Sequence, residues 1–276
     1  MSKVGIDSNV CGLASRPAGC ALTVFVFRAV ILALLADLTF GATLPETIDR
    51  IKPSLVAVGT FQKTRSPPFR ALGTGFIVGD GTVVATNAHV VPVITDTQEP
   101  EVMAVLLRLP EGGLQMREVR KLASDPEHDL ALLKLNGAPG PALQLGDGNA
   151  GSVREGQAVA FSGFPLISAL GPFPATNRGI ISAITPIAIP GASANRLGDK
   201  QIKQLSRGPY DIYQLDATAY PGNSGSPVYD ADTGEVIGII NMVLVRGSKE
   251  NALSNPSGIT YAIPVKFLVE LLRATH

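Results

Sequence analysis

Tyr220-Pro221-Gly222-Asn223-Ser224-Gly225-Ser226-Pro227 is the stretch around which the chain is organised. A serine sits there among glycines, with a proline on each side, and an apolar, β-branched run over residues 236–245 follows. Glycines crowded around a serine fit a tight turn that exposes the hydroxyl and lets backbone N–H groups approach a ligand. Acyl transfer needs that geometry, a nucleophilic oxygen beside donors for a developing oxyanion. Ordinary turns use the same residues, so the stretch has two readings until other segments are considered.

Composition narrows the class. The chain has 276 residues, 45% of them hydrophobic, enough for a large core, and 29 glycines and 21 prolines, which imply many turns. Lysine plus arginine (23) balance aspartate plus glutamate (23), so no basic excess attracts nucleic acid and none is expected as a partner.

The first 42 residues differ from the rest. Lys3, Arg16 and Arg28 precede or interrupt an apolar stretch over residues 21–38, and small residues follow at Gly41 and Ala42. This pattern predicts a secretory signal cleaved near Ala42, although Phe40 is a poor match to the small-residue rule at the third position before the cut. The alternative is an uncleaved membrane anchor over residues 21–38, but Arg28 and Asp37 shorten the uninterrupted apolar run to about half of a spanning helix. Export to the periplasm or the extracellular space follows from the first reading. Both cysteines, Cys11 and Cys20, lie in this leader, so a mature chain has neither a disulfide framework nor a thiolate metal site.

The remainder reads as short strands with turn signals between them. Residues 45–51 form a short helix. Strands follow over 54–61, 73–78, 82–86, 102–108, 114–122 and 130–135, with Gly79-Asp80-Gly81 as a hairpin turn. Residues 136–141, rich in Gly and Pro, begin an interdomain linker. A second set occupies 158–163, 179–184, 211–215, 225–229, 236–245 and 258–262, and residues 265–273 carry Val265, Leu268, Val269 and Leu272 on one helical face. Two successive sets of about six strands predict two all-β barrels or sandwiches. The expected division is a leader over 1–42, an N-terminal β-domain over 43–150 and a C-terminal one over 151–276. A long charged loop between Pro186 and Pro209 is of a length that is usually functional.

The chain has three histidines, His89, His128 and His276. His89 follows an apolar strand in Ala85-Thr86-Asn87-Ala88-His89-Val90-Val91 and could reach a cleft as a general base. Its other reading is a half-buried histidine satisfied by a carbonyl. Asp129 stands at the mouth of the apolar strand Leu130-Ala131-Leu132-Leu133-Lys134-Leu135, where a carboxylate could orient a histidine. Asp125 and Glu127 read as acidic turn residues. His128 is set aside because, in an extended chain, its neighbour Asp129 points away from it. His276 is terminal and set aside as frayed.

Taken together, these motifs resemble the HtrA/Deg branch of the chymotrypsin-fold serine proteases. The order His89, Asp129, Ser224 is that of the fold. Gly73-Thr74-Gly75-Phe76-Ile77-Val78, Thr86-Asn87-Ala88-His89-Val90-Val91, Asp129-Leu130-Ala131-Leu132-Leu133-Lys134, Pro221-Gly222-Asn223-Ser224-Gly225, Val236-Ile237-Gly238-Ile239 and Tyr261-Ala262-Ile263-Pro264 are similar to that branch, over roughly residues 45–273. The resemblance implies two six-stranded antiparallel β-barrels flanked by short N- and C-terminal helices. It implies Ser224 as nucleophile, His89 as general base, Asp129 as the acid that orients it, and the backbone N–H groups of Gly222 and Ser224 as the oxyanion hole. No metal and no cofactor is called for. Asn223 stands where trypsin-like enzymes have an aspartate that pairs with a freed N-terminus, so no activation of that kind is expected.

The same resemblance implies that Thr218, Ala219, Tyr220 and Pro221, with Asn241, Met242 and Val243, wall the primary substrate pocket. None is acidic, so a buried cation would lack a partner, and small or medium aliphatic side chains are the expected preference. The edge over residues 241–243 is expected to bind substrate as an added strand, which favours unfolded or extended polypeptides. Ser226 departs from the pattern, which usually has glycine there, and Tyr220 is a bulky residue near the pocket. Only a short helix follows Pro264, so a PDZ domain is not expected. Relatives often assemble as trimers; a homotrimer is therefore an expectation, with no contact legible in the sequence. Rival readings are a catalytically latent peptide-binding or chaperone-like module on the same fold, and a processing protease with one dedicated substrate.

Overall fold

The computed structural model describes residues 42–92, 101–109, 112–149, 151–187, 210–242 and 258–275. The leader with Cys11 and Cys20, most of the charged loop before Pro209, Val243 and His276 lie outside the described residues.

Twelve strands close into two antiparallel six-stranded barrels, as the sequence motifs imply. The first consists of β1 (Leu55–Phe61), β2 (Phe69–Val78), β3 (Val83–Asn87), β4 (Val102–Arg108), β5 (Leu114–Asp125) and β6 (Leu130–Leu135), in the order β1-β2-β3-β6-β5-β4. The second consists of β7 (Ala158–Gly163), β8 (Ala175–Pro186), β9 (Asp211–Asp216), β10 (Pro227–Asp230), β11 (Val236–Ile240) and β12 (Ile259–Pro264), in the order β10-β11-β12-β9-β8-β7. Helix α1 (Leu44–Ile51) precedes the first barrel, α2 (Ile167–Leu170) lies between β7 and β8, and α3 (Val265–Thr275) follows β12.

Several strands read as continuous apolar runs because both of their faces are buried. Successive side chains on a strand point to opposite faces. Ile77, Val84 and Leu133 face a cluster with Val56, Val58 and Val105 inside the first barrel. Their neighbours Phe76, Ala85 and Leu132 face a second cluster shared with Tyr229, Ile239 and Ile263 of the second barrel and Leu268 of α3. Phe161, Ile181, Leu215 and Ile240 fill the second barrel. The shared cluster welds the barrels together, and large-to-small changes in it, such as Leu132→Ala, cost about 2–5 kcal/mol.

Some elements differ from the sequence expectation. β2 begins at Phe69 rather than 73, because Phe69, Arg70 and Ala71 pair with Phe61, Thr60 and Gly59 across a bulge at Val58/Gly59. β10 begins at Pro227 rather than 225, since Gly225 belongs to the preceding turn with φ 86°. The connector after β6 is partly ordered by pairing: Leu145 bridges Val236, and Gly146 N–H donates to the Val236 carbonyl at 2.8 Å. On α3, Phe267 is buried although it lies off the predicted stripe. Among the described residues no helix is long and apolar enough to cross a membrane.

Candidate active site

His89 lies in a 3-10 turn, Ala88–Val90, that continues directly from β3. Asp129 ends the tight turn between β5 and β6, with φ 52°, a left-handed conformation uncommon for a non-glycine residue. β3 and β6 pair so that Asn87 faces Leu130, which brings the two ends together. The Asp129 carbonyl accepts the Ala88 N–H at 2.9 Å and the Asn87 Nδ2 at 3.1 Å. Its carboxylate accepts the His89 N–H through Oδ1 at 2.9 Å and meets His89 Nδ1 through Oδ2 at 2.5 Å. Backbone and ring of His89 are therefore held by one carboxylate, which fixes the ring orientation and leaves Nε2 without a hydrogen bond among the described residues.

Asn241 completes the carboxylate's shell. The sequence places it on the pocket wall; in the fold it follows β11, and its Nδ2 donates to Asp129 Oδ2 at 2.8 Å. It is 1% exposed. A second-barrel side chain thus anchors a first-barrel acid.

Ser224 sits in the turn between β9 and β10, 7% exposed. β2 carries that turn to the His89 side. The Thr74 N–H donates to the Ser224 carbonyl at 2.9 Å. A side chain on Gly73 would touch that same carbonyl and the side chain of Val90, the residue after His89. Thr74 Oγ1 donates to the Gly222 carbonyl at 2.7 Å and accepts the Phe164 N–H at 2.9 Å. Gly222, at φ 101°, has no room for a Cβ, which would lie 2.3 Å from the Phe164 carbonyl oxygen.

Among the described residues the N–H groups of Gly222 and Ser224 donate to no backbone carbonyl, whereas those of Asn223, Gly225 and Ser226 bond Tyr220, Ile240 and Asn223. The Pro221 carbonyl accepts the Leu166 N–H at 2.8 Å. In a trans peptide the following N–H points opposite to that carbonyl, so the Gly222 N–H is turned away from Leu166. Leu166 is itself left-handed, with φ 46°. No sequence signal marked it, because glycine or asparagine is the usual residue for that conformation.

Ser226, which stands where the pattern usually has glycine, is not among the left-handed residues, so its backbone carries no strain from the missing glycine. Its hydroxyl and the carboxamide of Asn223 are buried, with no hydrogen-bond partner among the described residues.

Of the other predicted pocket residues, Thr218 and Tyr220 are half-buried, and Met242 packs partly buried against the second-barrel core. Thr260, which sequence reading missed, fastens this segment: its hydroxyl donates to the Ala217 carbonyl at 2.6 Å and accepts the Ala219 N–H at 3.1 Å. His128, set aside on the premise of an extended chain, lies in a turn and bonds Asp125, not Asp129.

Residues 73–239 match the family model of the trypsin-like peptidase domain. The chain belongs to that family. Within this trypsin-like peptidase family it is HtrA/Deg-like. It is 30% identical over 206 residues to a probable periplasmic serine endoprotease, DegP-like, of Halomonas elongata, covering 73% of this chain and 34% of that protein. A protein of the same description from Brucella suis is 30% identical over 199 residues, 70% of this chain and 31% of the relative. The chain therefore spans about a third of the length of these curated relatives. Among solved structures, the HtrA-type protease AlgW with a tripeptide superposes with a TM-score of 0.56 at 27% identity, over 84% of this chain and 63% of that one. The serine endoprotease from Yersinia pestis gives 0.55 at 25% identity, over 85% and 66%.

Proposed function

We propose that this trypsin-like peptidase domain is a serine endopeptidase that hydrolyses peptide bonds of unfolded or extended polypeptides. Ser224 Oγ attacks the scissile carbonyl. His89 Nε2 takes its proton and later delivers it to the leaving amine. Asp129 holds the imidazole tautomer and stabilises the imidazolium, and the N–H groups of Gly222 and Ser224 receive the oxyanion. The observation that carries this reading is the single carboxylate of Asp129, which holds both the backbone and the ring of His89. The N–H groups of Gly222 and Ser224, which donate to no backbone carbonyl among the described residues, support it.

Thr218, Tyr220, Asn241, Met242 and Val243 shape the substrate site, with small or medium aliphatic residues preferred on the acyl side. Residues 1–42 act as an export leader, 43–150 carry His89 and Asp129, and 151–276 carry Ser224. The relatives described as periplasmic support a role in the envelope, where clearance of unfolded protein suits a strand-binding cleft. A homotrimer is the proposed assembly.

The test is fluorophosphonate labelling read by intact mass, with Ser224→Ala alongside. One adduct on the parent chain and none on the variant supports the assignment. A folded parent chain that takes no adduct, with or without added unfolded peptide, overturns it. Cleavage of denatured casein then separates a broad endopeptidase from one with a single dedicated substrate.

A further inference from the structure

Next to Asp129 stands a second carboxylate–imidazole pair that the catalytic reading leaves unused. His128 Nδ1 meets Asp125 Oδ2 at 2.6 Å. The other oxygen of Asp125 accepts the N–H groups of Glu127 at 3.0 Å and His128 at 3.2 Å. Asp125 thus closes the four-residue turn whose last member is Asp129, since it pairs with Leu130 across the hairpin.

The turn is also gripped from the C-terminal half of the chain. The His128 ring stacks on Phe267 of α3, with centroids 3.6 Å apart and planes 16° apart. Its edge meets Tyr210, just before β9, at 4.7 Å and 64°. Tyr210 and Phe267 meet each other at 5.1 Å. An aspartate held at positive φ needs its surroundings to fix it there. The surroundings on this side are His128 and the two rings.

We propose that His128 is a positioning residue for the proposed protease: bonded to Asp125 and packed against Phe267 and Tyr210, it locks the turn that presents Asp129 to His89. The inference rests on the reading of His89, Asp129 and Ser224 as the catalytic residues. It makes the seating of α3 and Tyr210 a determinant of the acid's position, although neither touches the triad by hydrogen bond among the described residues.

Asp125 bonds His128 and Tyr210 packs on its ring; the other charged groups of this cluster are Glu127 and Asp129 of the same turn, which with Asp125 act on Tyr210, and Lys266 of α3, whose Nζ lies 4.7 Å from the Phe267 ring centre. Burial, and then the charges of Asp129, Asp125 and Glu127, push the Tyr210 hydroxyl up to about 12. It remains neutral through the working range, and Lys266 is the cation of the set.

The experiment uses the full chain with His128→Phe, which keeps a ring against Phe267 but loses the Asp125 bond, and Phe267→Leu, which removes the stack at a distance. Three quantities are read: the titration of the His89 imidazole by nitrogen-labelled histidine NMR, the pH profile of fluorophosphonate labelling, and the thermal midpoint. A displaced Asp129 stabilises the His89 imidazolium less, so the His89 titration and the acid limb of labelling both move to lower pH in the two variants. The maximal inactivation rate falls on the order of tenfold while the inhibitor's binding constant stays put. If His128→Phe does not fold, Phe267→Leu carries the test. Unchanged His89 titration and unchanged inactivation rate overturn the proposal, whatever the thermal midpoint does. A parent chain inert to fluorophosphonate overturns the protease reading instead, and the His89 titration still decides whether His128 positions Asp129.

Discussion

Asn241 Nδ2 donates to Oδ2 of Asp129, the oxygen that also meets Nδ1 of His89. The bond joins the end of β11 in the second barrel to the β5–β6 turn of the first. It neutralises part of the carboxylate's hydrogen-bonding demand from the side opposite in sequence, 112 residues away. Hydrogen bonds to charged groups contribute about 1.5–3 kcal/mol. Asn241→Ala is therefore expected to slow acylation roughly ten- to a hundredfold. Labelling rates with a fluorophosphonate measure this, and a rate equal to that of the parent chain would refute a role for the bond.

Thr74 is the stitch between β2 and the Ser224 turn. Its hydroxyl serves the Gly222 carbonyl and the Phe164 N–H at once. Thr74→Val keeps the shape and strands both backbone groups in the interior. The expected loss is about 2 kcal/mol of stability, with a slower labelling rate because the Gly222 peptide is no longer held. Denaturant titration and labelling kinetics on the same sample separate the two effects.

Ser226 fills the space that a side chain on Gly163 would need. A Cβ on Gly163 would lie 1.9 Å from Ser226 Oγ, 2.9 Å from Thr74 Oγ1 and 3.0 Å from Asn223 Oδ1. Gly163→Ala is expected to cost about 1–3 kcal/mol by overpacking. Ser226→Gly in the same chain recovers part of that loss, so the two changes are non-additive. Strict additivity in urea denaturation would contradict the contact. Ser226→Ala, which removes a buried hydroxyl with no hydrogen-bond partner among the described residues, should stabilise the fold by about 1 kcal/mol.

Asp230 gives the fold a defined acid sensitivity. Burial raises its pKa, but the Thr233 N–H, Gln157 Nε2 and the Asp232 N–H outweigh this and hold it below the ordinary value. A carboxylate depressed in the folded state adds stability above its unfolded pKa of about 3.9, and that contribution disappears as pH falls through the lower folded value. Asp230→Ala should therefore be less stable than the parent at pH 7, with the gap narrowing below about pH 4. Thermal midpoints across pH 2.5–7, a range set at about the carboxylate region, test the slope. A gap that stays constant through the acid range would show that the ionised carboxylate is not the source.

Much of the fold is legible in the sequence. Most strand positions follow from short apolar runs broken by glycine and proline, and β4, β6 and β7 occupy the predicted residues. The candidate catalytic residues were legible because each sits in a local motif: His89 after the β3 run, Asp129 before β6, Ser224 among glycines. The longer span of β2 was not, since Phe69 to Ala71 become a strand only by pairing with β1 across a bulge. The premise of an extended chain at His128 failed because Asp129 takes a left-handed conformation that only the closed hairpin and its packing hold.

The sequence by itself determined most of the strands, the glycine-rich turn that carries Ser224 and the identities of three candidate catalytic side chains, because these depend on local backbone preference and on the spacing of apolar residues. The tertiary structure alone decided that Asn241 bonds Asp129, that Thr74 ties β2 to Gly222, that Leu166 holds the Pro221 carbonyl, and that Phe267 and Tyr210 pack on His128. Each joins residues far apart in the chain. Such pairs meet only when each barrel has closed and the two have packed face to face, and nothing in the local pattern of either partner encodes the other.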